Sequence, residues 1–379
     1  MKVTQKHWTD RMGWQTLSGD GISDQVQLVL VFGENAVLKN EARIQEIRQF
    51  FPNGRIVGCS TAGEIIGNQV FDNSLTTTGI FFEKTKLQFA ETTLDDMKDS
   101  FNAGEKLAGA LEPEGLAHVF VLSDGLNVNG SALAKGLRSR LAANVAVTGG
   151  LAGDQDRFSE TVVFLDSVSK KNNIAAIGFY GDALQIGYGS KGGWDSFGPD
   201  RLVTRSHENI LYELDGQSAL ELYKKYLGEQ AKGLPATGLL FPLSLALDGG
   251  DKRLVRTILS VNEEDGSMTF AGDVPEGCYA RLMKTNFEHL VKGAAESAEQ
   301  SQVVGSHTPD LAMLISCVGR KLVLRQRVDE EVEGVQNTLG QNTALTGFYS
   351  YGEICPVEPD DRQAELHNQT MTITTFTER

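Results

Sequence analysis

A chain of 379 residues with a formal charge of −15, 40% of it hydrophobic and 22% charged, is long enough for two domains of ordinary size. The acidic excess opposes nucleic-acid binding, which needs clustered Lys and Arg, and no apolar run approaches the roughly 20 residues that span a bilayer. Met1 to Trp8 carries no apolar signal region, and the cysteines Cys59, Cys278, Cys317 and Cys355 lack CxxC or zinc-type spacing, so a cytoplasmic protein with free thiols is expected.

The first apolar strand is predicted over 27–32, followed by helical spacing through Leu38, Ile44, Ile47 and Phe51 that Pro52-Asn53-Gly54 closes. Arg55-Ile56-Val57 then leads into Gly58-Cys59-Ser60-Thr61-Ala62-Gly63-Glu64-Ile65, a turn rich in glycine and hydroxyls, and strands at 78–82 and 87–90 come next. The order recurs with a strand at 117–122, a turn at Ser123-Asp124-Gly125, a helix through Leu133, Leu137 and Leu141, and a second glycine loop, Gly149-Gly150-Leu151-Ala152-Gly153-Asp154. Strands at 161–165, 175–179 and 183–187 complete that copy.

The material after it is different. Gly187 to Gly192 has the letters GxGxxG, but Gly198-Pro199 follow where a dinucleotide loop would open a helix. A helix is expected over 218–227, strands over 239–247 and 254–261, and a helix over 286–300. A third copy starts with a strand at 311–317 and an acidic helix at 329–335. It ends in Gly347-Phe348-Tyr349-Ser350-Tyr351-Gly352-Glu353-Ile354 and a closing strand at 370–376.

Such repetition points to an α/β fold with mixed sheets and packed helices, two domains built from repeated strand-helix-strand-glycine-loop units. The expected divisions are a lead-in over 1–25 and domains over 26–210 and 211–379. Glycines at these turns suggest positive φ or close backbone approach, hence loops shaped for a ligand; three tight strand exits in a repeat fold would use the same residues. A hydrolase using Cys59 or Ser60 is the weaker reading, because the turn is one residue too long for GxSxG and no His is paired with it.

These motifs resemble the FIST family, bacterial sensory proteins with an N-terminal and a C-terminal FIST domain. The resemblance rests on Gly58 to Ile65, Ser123-Asp124-Gly125, Gly149 to Asp154, Glu213-Leu214-Asp215-Gly216, Tyr226-Leu227-Gly228, Ser316-Cys317-Val318-Gly319-Arg320, Phe348 to Ile354 and His367-Asn368, in family order over nearly the whole chain. It implies a small-ligand sensor of signal transduction and not an enzyme, either of amino acids or similar metabolites or, in a stand-alone branch, of nitric oxide through noncovalent haem b. It also implies action on a partner histidine kinase or cyclic-di-GMP enzyme, with a homo-oligomer left open.

The expected ligand contacts are Cys59, Ser60, Thr61 and Glu64 from the first loop, Gly149, Gly150 and Asp154 from the second, and Tyr349, Tyr351, Glu353, His367 and Asn368 from the third. His367 is the expected axial ligand if haem binds, since neutral imidazole is a common metal ligand. The expected site is a cleft between the two domains, walled by the first and third loops.

Overall fold

The strand Leu28–Gly33 is wholly buried and pairs in parallel with Arg55–Ser60 across the helix Glu41–Phe50. The same unit appears as Leu116–Ser123, helix Gly130–Arg140 and Ala146–Leu151, and again as Leu311–Cys317, helix Val328–Leu339 and Ala344–Ser350. The molecule is seen in a computed structural model, which describes residues 1–19, 21–94, 99–166, 170–247, 252–303, 308–357 and 362–379. In each unit a later strand, Ser74–Phe81, Asn173–Tyr180 or Met371–Glu378, adds antiparallel to the first. A further strand covers its outer edge: Lys2–Thr9, Lys86–Thr93 or Leu184–Lys191. The first 25 residues, read as a lead-in, therefore supply Lys2–Thr9 and Gly13–Ser18 to the first sheet.

The other edge of each parallel pair is closed by a short strand from a different unit. Glu64–Ile66, from the first unit, pairs with Ala344–Ser350; Gly352–Pro356, from the third, with Ala146–Leu151; and Val163–Leu165, from the second, with Arg55–Ser60. The exchange is cyclic, so the three six-stranded sheets form one interlocked body, and strands cross the 210/211 division expected from sequence. Three equivalent backbone hydrogen bonds join the glycine loops. Ala62 N donates to Tyr349 O (2.8 Å), Tyr351 N to Leu151 O (3.2 Å), and Gly153 N to Ser60 O (2.9 Å). All three loops thus meet on a pseudo-threefold axis.

Close packing explains the glycine that each copy repeats. A Cβ on Gly58 would lie 2.3 Å from Val31 O, on Gly149 1.9 Å from Val121 O, and on Gly347 1.8 Å from Leu314 O, in each case the residue directly across the parallel pair. Gly347→Ala should therefore lower stability by about 1–3 kcal/mol, the usual cost of overpacking. Gly109→Ala, with open space around it, is the control. A urea midpoint for Gly347→Ala equal to that of the control would contradict the packing argument.

Residues 195–284 form the one large departure from this plan. They are inserted into the third unit between its edge strand Leu184–Lys191 and the helix Phe287–Gln300, and they build an eight-stranded sheet. The insertion has its own core, with Val203, Leu211, Leu220, Tyr223, Leu245, Met268 and Leu282 buried together. Where a strand was expected from 239, Ala236–Leu240 is a 3-10 helix and the strand begins at Leu243. Arg256 fastens the insertion to the body, donating to Leu366 O at 2.8 Å.

Candidate functional site

A cavity of about 1150 Å³ lies where the insertion covers the loop-bearing end of the three-unit body. Ala62 of the first loop, Gln155, Asp156 and Phe158 of the second, and the turn residues Asp72, Asn73 and Leu126 form one side. Val318, Lys321, Leu322 and Arg325 come from the short helix Val318–Leu324 and its exit. The insertion contributes residues 233–237, Leu239, Leu240, Ile258 and Leu259. Apolar walls with a few polar groups are what a small-molecule site requires.

Lys321 is already committed. Its Nζ donates to Ala62 O at 2.7 Å, pairs with Asp72, and lies over the Tyr349 ring. Gly63, at φ +142°, makes room for it, because a Cβ there would sit 2.5 Å from Nζ. Phe158 stacks on Tyr351 with ring centroids 4.4 Å apart and planes 14° apart. The Tyr351 hydroxyl fixes the loop by donating to Gln155 O and accepting from Phe158 N.

Most of the side chains expected to touch a ligand instead hold the loops together. Thr61 and Ser74 hydroxyls each donate to Glu64 at 2.6 Å. Ser350 and Thr370 hydroxyls donate to Glu353 at 2.7 and 2.9 Å. Burial raises both carboxyls to about 8 against those hydrogen bonds. Neither lines the cavity, so they clamp the exchanged strands and do not present charge to an amine. Tyr349 is buried and donates to Glu331. Cys59 is enclosed in the core, where burial pushes its thiol well above the usual range, and Ser60 Oγ accepts from Val162 N at 3.0 Å.

The second loop differs from the other two. Gly58 and Gly347 precede the paired residues Ile65 and Ile354 of their own exchanged strands by seven positions, whereas Gly149 precedes the equivalent Phe164 by fifteen. The longer loop moves Asp154 out of register with the two glutamates. Burial alone would raise its carboxyl, but hydrogen bonds from Arg157, Ser159 and the Glu160 amide outweigh this and hold it low. Asp154 thereby shapes the loop that carries Phe158. Gly150 packs against Ile315, where a Cβ would meet Cγ2 at 2.7 Å.

His367 is not among the cavity-lining residues. Its Nε2 lies 2.9 Å from Cys355 O and its Nδ1 3.5 Å from Ser190 Oγ, and burial lowers it to about 4. Asn368 is fully buried, and neither of its amide atoms has a hydrogen-bond partner among the described residues. Among the described residues the cavity lining contains no His, Cys, Met or Tyr, and that donor set does not fit an axially ligated haem. Among the described residues no cluster of three metal-binding side chains occurs.

Comparison with known proteins identifies the family. The FIST N domain matches residues 27–217 and the FIST C domain residues 219–356. The chain belongs to the FIST family. FIST domains are sensory domains of signal transduction that bind small ligands. An uncharacterised protein of Methanocaldococcus jannaschii is 23% identical over 311 residues, 76% of this FIST protein; the chain spans 59% of that relative's length. The crystal structure of a cyanuric acid hydrolase from A. caulinodans aligns with a TM-score of 0.36 and 8% identity over 94% of this chain and 90% of that one. So distant a likeness says nothing about chemistry. Among the described residues of this FIST protein, no helix is long and apolar enough to cross a membrane.

None of the expected contact residues is among the described lining residues, and sequence reading missed the whole lining: Ala62, Asp72, Asn73, Leu126, Gln155, Asp156 and Phe158, the helix residues Val318, Lys321, Leu322 and Arg325, and the insertion residues 233–237, Leu239, Leu240, Ile258 and Leu259. Val318, Lys321 and Leu126 had a local signal, the first inside and the second beside the Ser316 to Arg320 motif, the third beside Ser123-Asp124-Gly125. The insertion residues come from a polar-interrupted stretch with no repeat partner.

Proposed function

We propose that this FIST protein is a sensor whose small amphipathic metabolite is held in the cavity between the insertion and the loop end of the body. The reading rests on the cavity being walled by both parts: a ligand that touches residues 233–240 and Val318 together stabilises one placement of the insertion over the other. A ligand shifts an equilibrium only through such differential contact. The placement would then be read by a separate signalling enzyme, a histidine kinase or a cyclic-di-GMP enzyme. An amino-acid-like metabolite suits this site better than haem, since amphipathic walls are present and the described lining residues offer no His, Cys, Met or Tyr as an axial donor.

A metabolite panel screened by thermal shift tests the proposal. At least one compound is expected to raise the unfolding temperature of the wild type. Val318→Trp and Leu259→Trp, which add bulk to the cavity from the body and from the insertion, are expected to abolish that shift. A compound that stabilises both variants as well as the wild type would place its site elsewhere and sink the reading.

A further inference from the structure

Backbone strain gathers at this cavity. Among the described residues nine non-glycine positions have φ in the left-handed region, and four of them, Asn73, Gln155, Phe158 and Arg325, are cavity-lining residues. Such conformations are uncommon for side-chain-bearing residues, uncommon above all for bulky ones, and cluster at ligand clamps where the surrounding structure holds them. Two of the four carry distinct recognition chemistry. Phe158 is covered on one face by Tyr351 yet remains 38% exposed, and it is one of the cavity-lining residues. Arg325 is exposed and makes no ion pair among the described residues, whereas the cavity's other cation, Lys321, is neutralised by Asp72.

Resting on the sensor reading above, we infer that the cavity selects an aromatic carboxylate, its ring stacked on Phe158 and its carboxylate bound by Arg325. A planar ring suits an offset-stacked partner already backed by a second ring. The guanidinium fork suits a carboxylate, which it can bind through two parallel hydrogen bonds. Leu240, Ile258 and Leu259 supply apolar lining from the insertion. Asp156, the other carboxylate beside Asp72 among the described lining residues, repels an anionic ligand and so gives the inference a test of sign.

Isothermal titration of the full chain with phenylacetate and indole-3-acetate tests it, with cyclohexylacetate, hexanoate and phenethylamine as comparisons. The aromatic acids are expected to bind at least tenfold more tightly than hexanoate or phenethylamine, and more tightly than cyclohexylacetate. Arg325→Gln should weaken them about tenfold or more, a loss fitting one charge-assisted contact. Phe158→Leu should weaken the aromatic acids while leaving cyclohexylacetate nearly unchanged, and Asp156→Asn should leave the acids unchanged or tighter. Both substituted side chains at the contacts are exposed, so folding is expected to survive, and circular dichroism checks that. Failure of both aromatic acids to bind overturns the inference, as does tighter binding of phenethylamine. If hexanoate or phenethylamine binds instead and Val318→Trp removes that binding, the sensor reading stands while the aromatic-acid inference falls. Binding of any probe that Val318→Trp leaves intact overturns both.

Discussion

Replacing Arg320 by leucine is expected to lower stability by about 3–5 kcal/mol, the cost of stranding one member of a buried ion pair. Arg320 and Glu331 are both wholly buried, with Nη2 2.7 Å and Nε 3.1 Å from Glu331 Oε2. The guanidinium also donates to Leu290 O at 2.8 Å and to Gly192 O. Glu331 in turn accepts from Ser316 Oγ and the Tyr349 hydroxyl. One pair therefore ties the helices Phe287–Gln300 and Val328–Leu339 to the strands of the third unit and to the end of the edge strand before the insertion. Without Arg320 the carboxylate keeps two hydroxyl donors but loses its countercharge in a medium of low dielectric. The double variant Arg320→Leu/Glu331→Leu should recover part of the loss, because apolar replacement of a whole buried pair costs less than breaking it. Urea midpoints measure both. A single-variant loss below about 1 kcal/mol, or a double variant less stable than the single one, would show that the pair does not bear this strain.

The repeat was legible because its cause is local. Gly58 and Gly347 each face the carbonyl of the residue across a parallel pair, so the same contact demands the same residue in the same register. The strands Leu28–Gly33 and Leu311–Cys317 were legible from the apolar runs over 28–32 and 311–315. Strand exchange was not. Glu64–Ile66 has three residues and takes its partner from some 280 positions away, a pairing without local periodicity. The site misled for a related reason. Glu64 and Glu353 were read as ligand contacts because they end glycine loops, yet a hydroxyl three positions before each, Thr61 and Ser350, already satisfies the carboxyl. That spacing was visible, and it marks a self-contained clamp. The walls of the cavity come from a loop lengthened by eight residues and from an insertion without a repeat partner, so symmetry offered no guide to Phe158, Arg325 or Leu259.

Between pH 6.5 and 8 the protein should lose stability as pH rises, by about 2 kcal/mol for each of Glu64 and Glu353. Both carboxyls are buried, and desolvation raises them from 4.5 to about 8 in the folded state. For Glu64 the hydrogen bonds from Ser74 and Thr61 oppose the rise, Asp72 adds to it and Lys321 lowers it; for Glu353 Ser350, Thr370 and Arg320 oppose it. The folded state thus binds protons that the unfolded chain has released. Stability from this source is complete below the unfolded value and is lost as pH climbs towards the folded one, at about 1.4 kcal/mol per unit for each group. The buried histidines pull the other way, but lower down. Burial brings His118 to about 3 and His367 to about 4 from 6.5, so their contribution is present above 6.5 and lost only on acidification. The glutamates therefore dominate the upper window, the histidines and the buried thiols adding only smaller contributions at its two ends. Urea midpoints of the wild type at pH 6.5, 7.25 and 8 should fall steadily. Glu64→Gln and Glu353→Gln, which keep the shape of the protonated acid, should each remove about half of that slope and be more stable than the wild type at pH 8. A wild type whose midpoint is flat or rising across this window would mean that both carboxyls are ionised in the fold, with Lys321 and Arg320 as their working counterions.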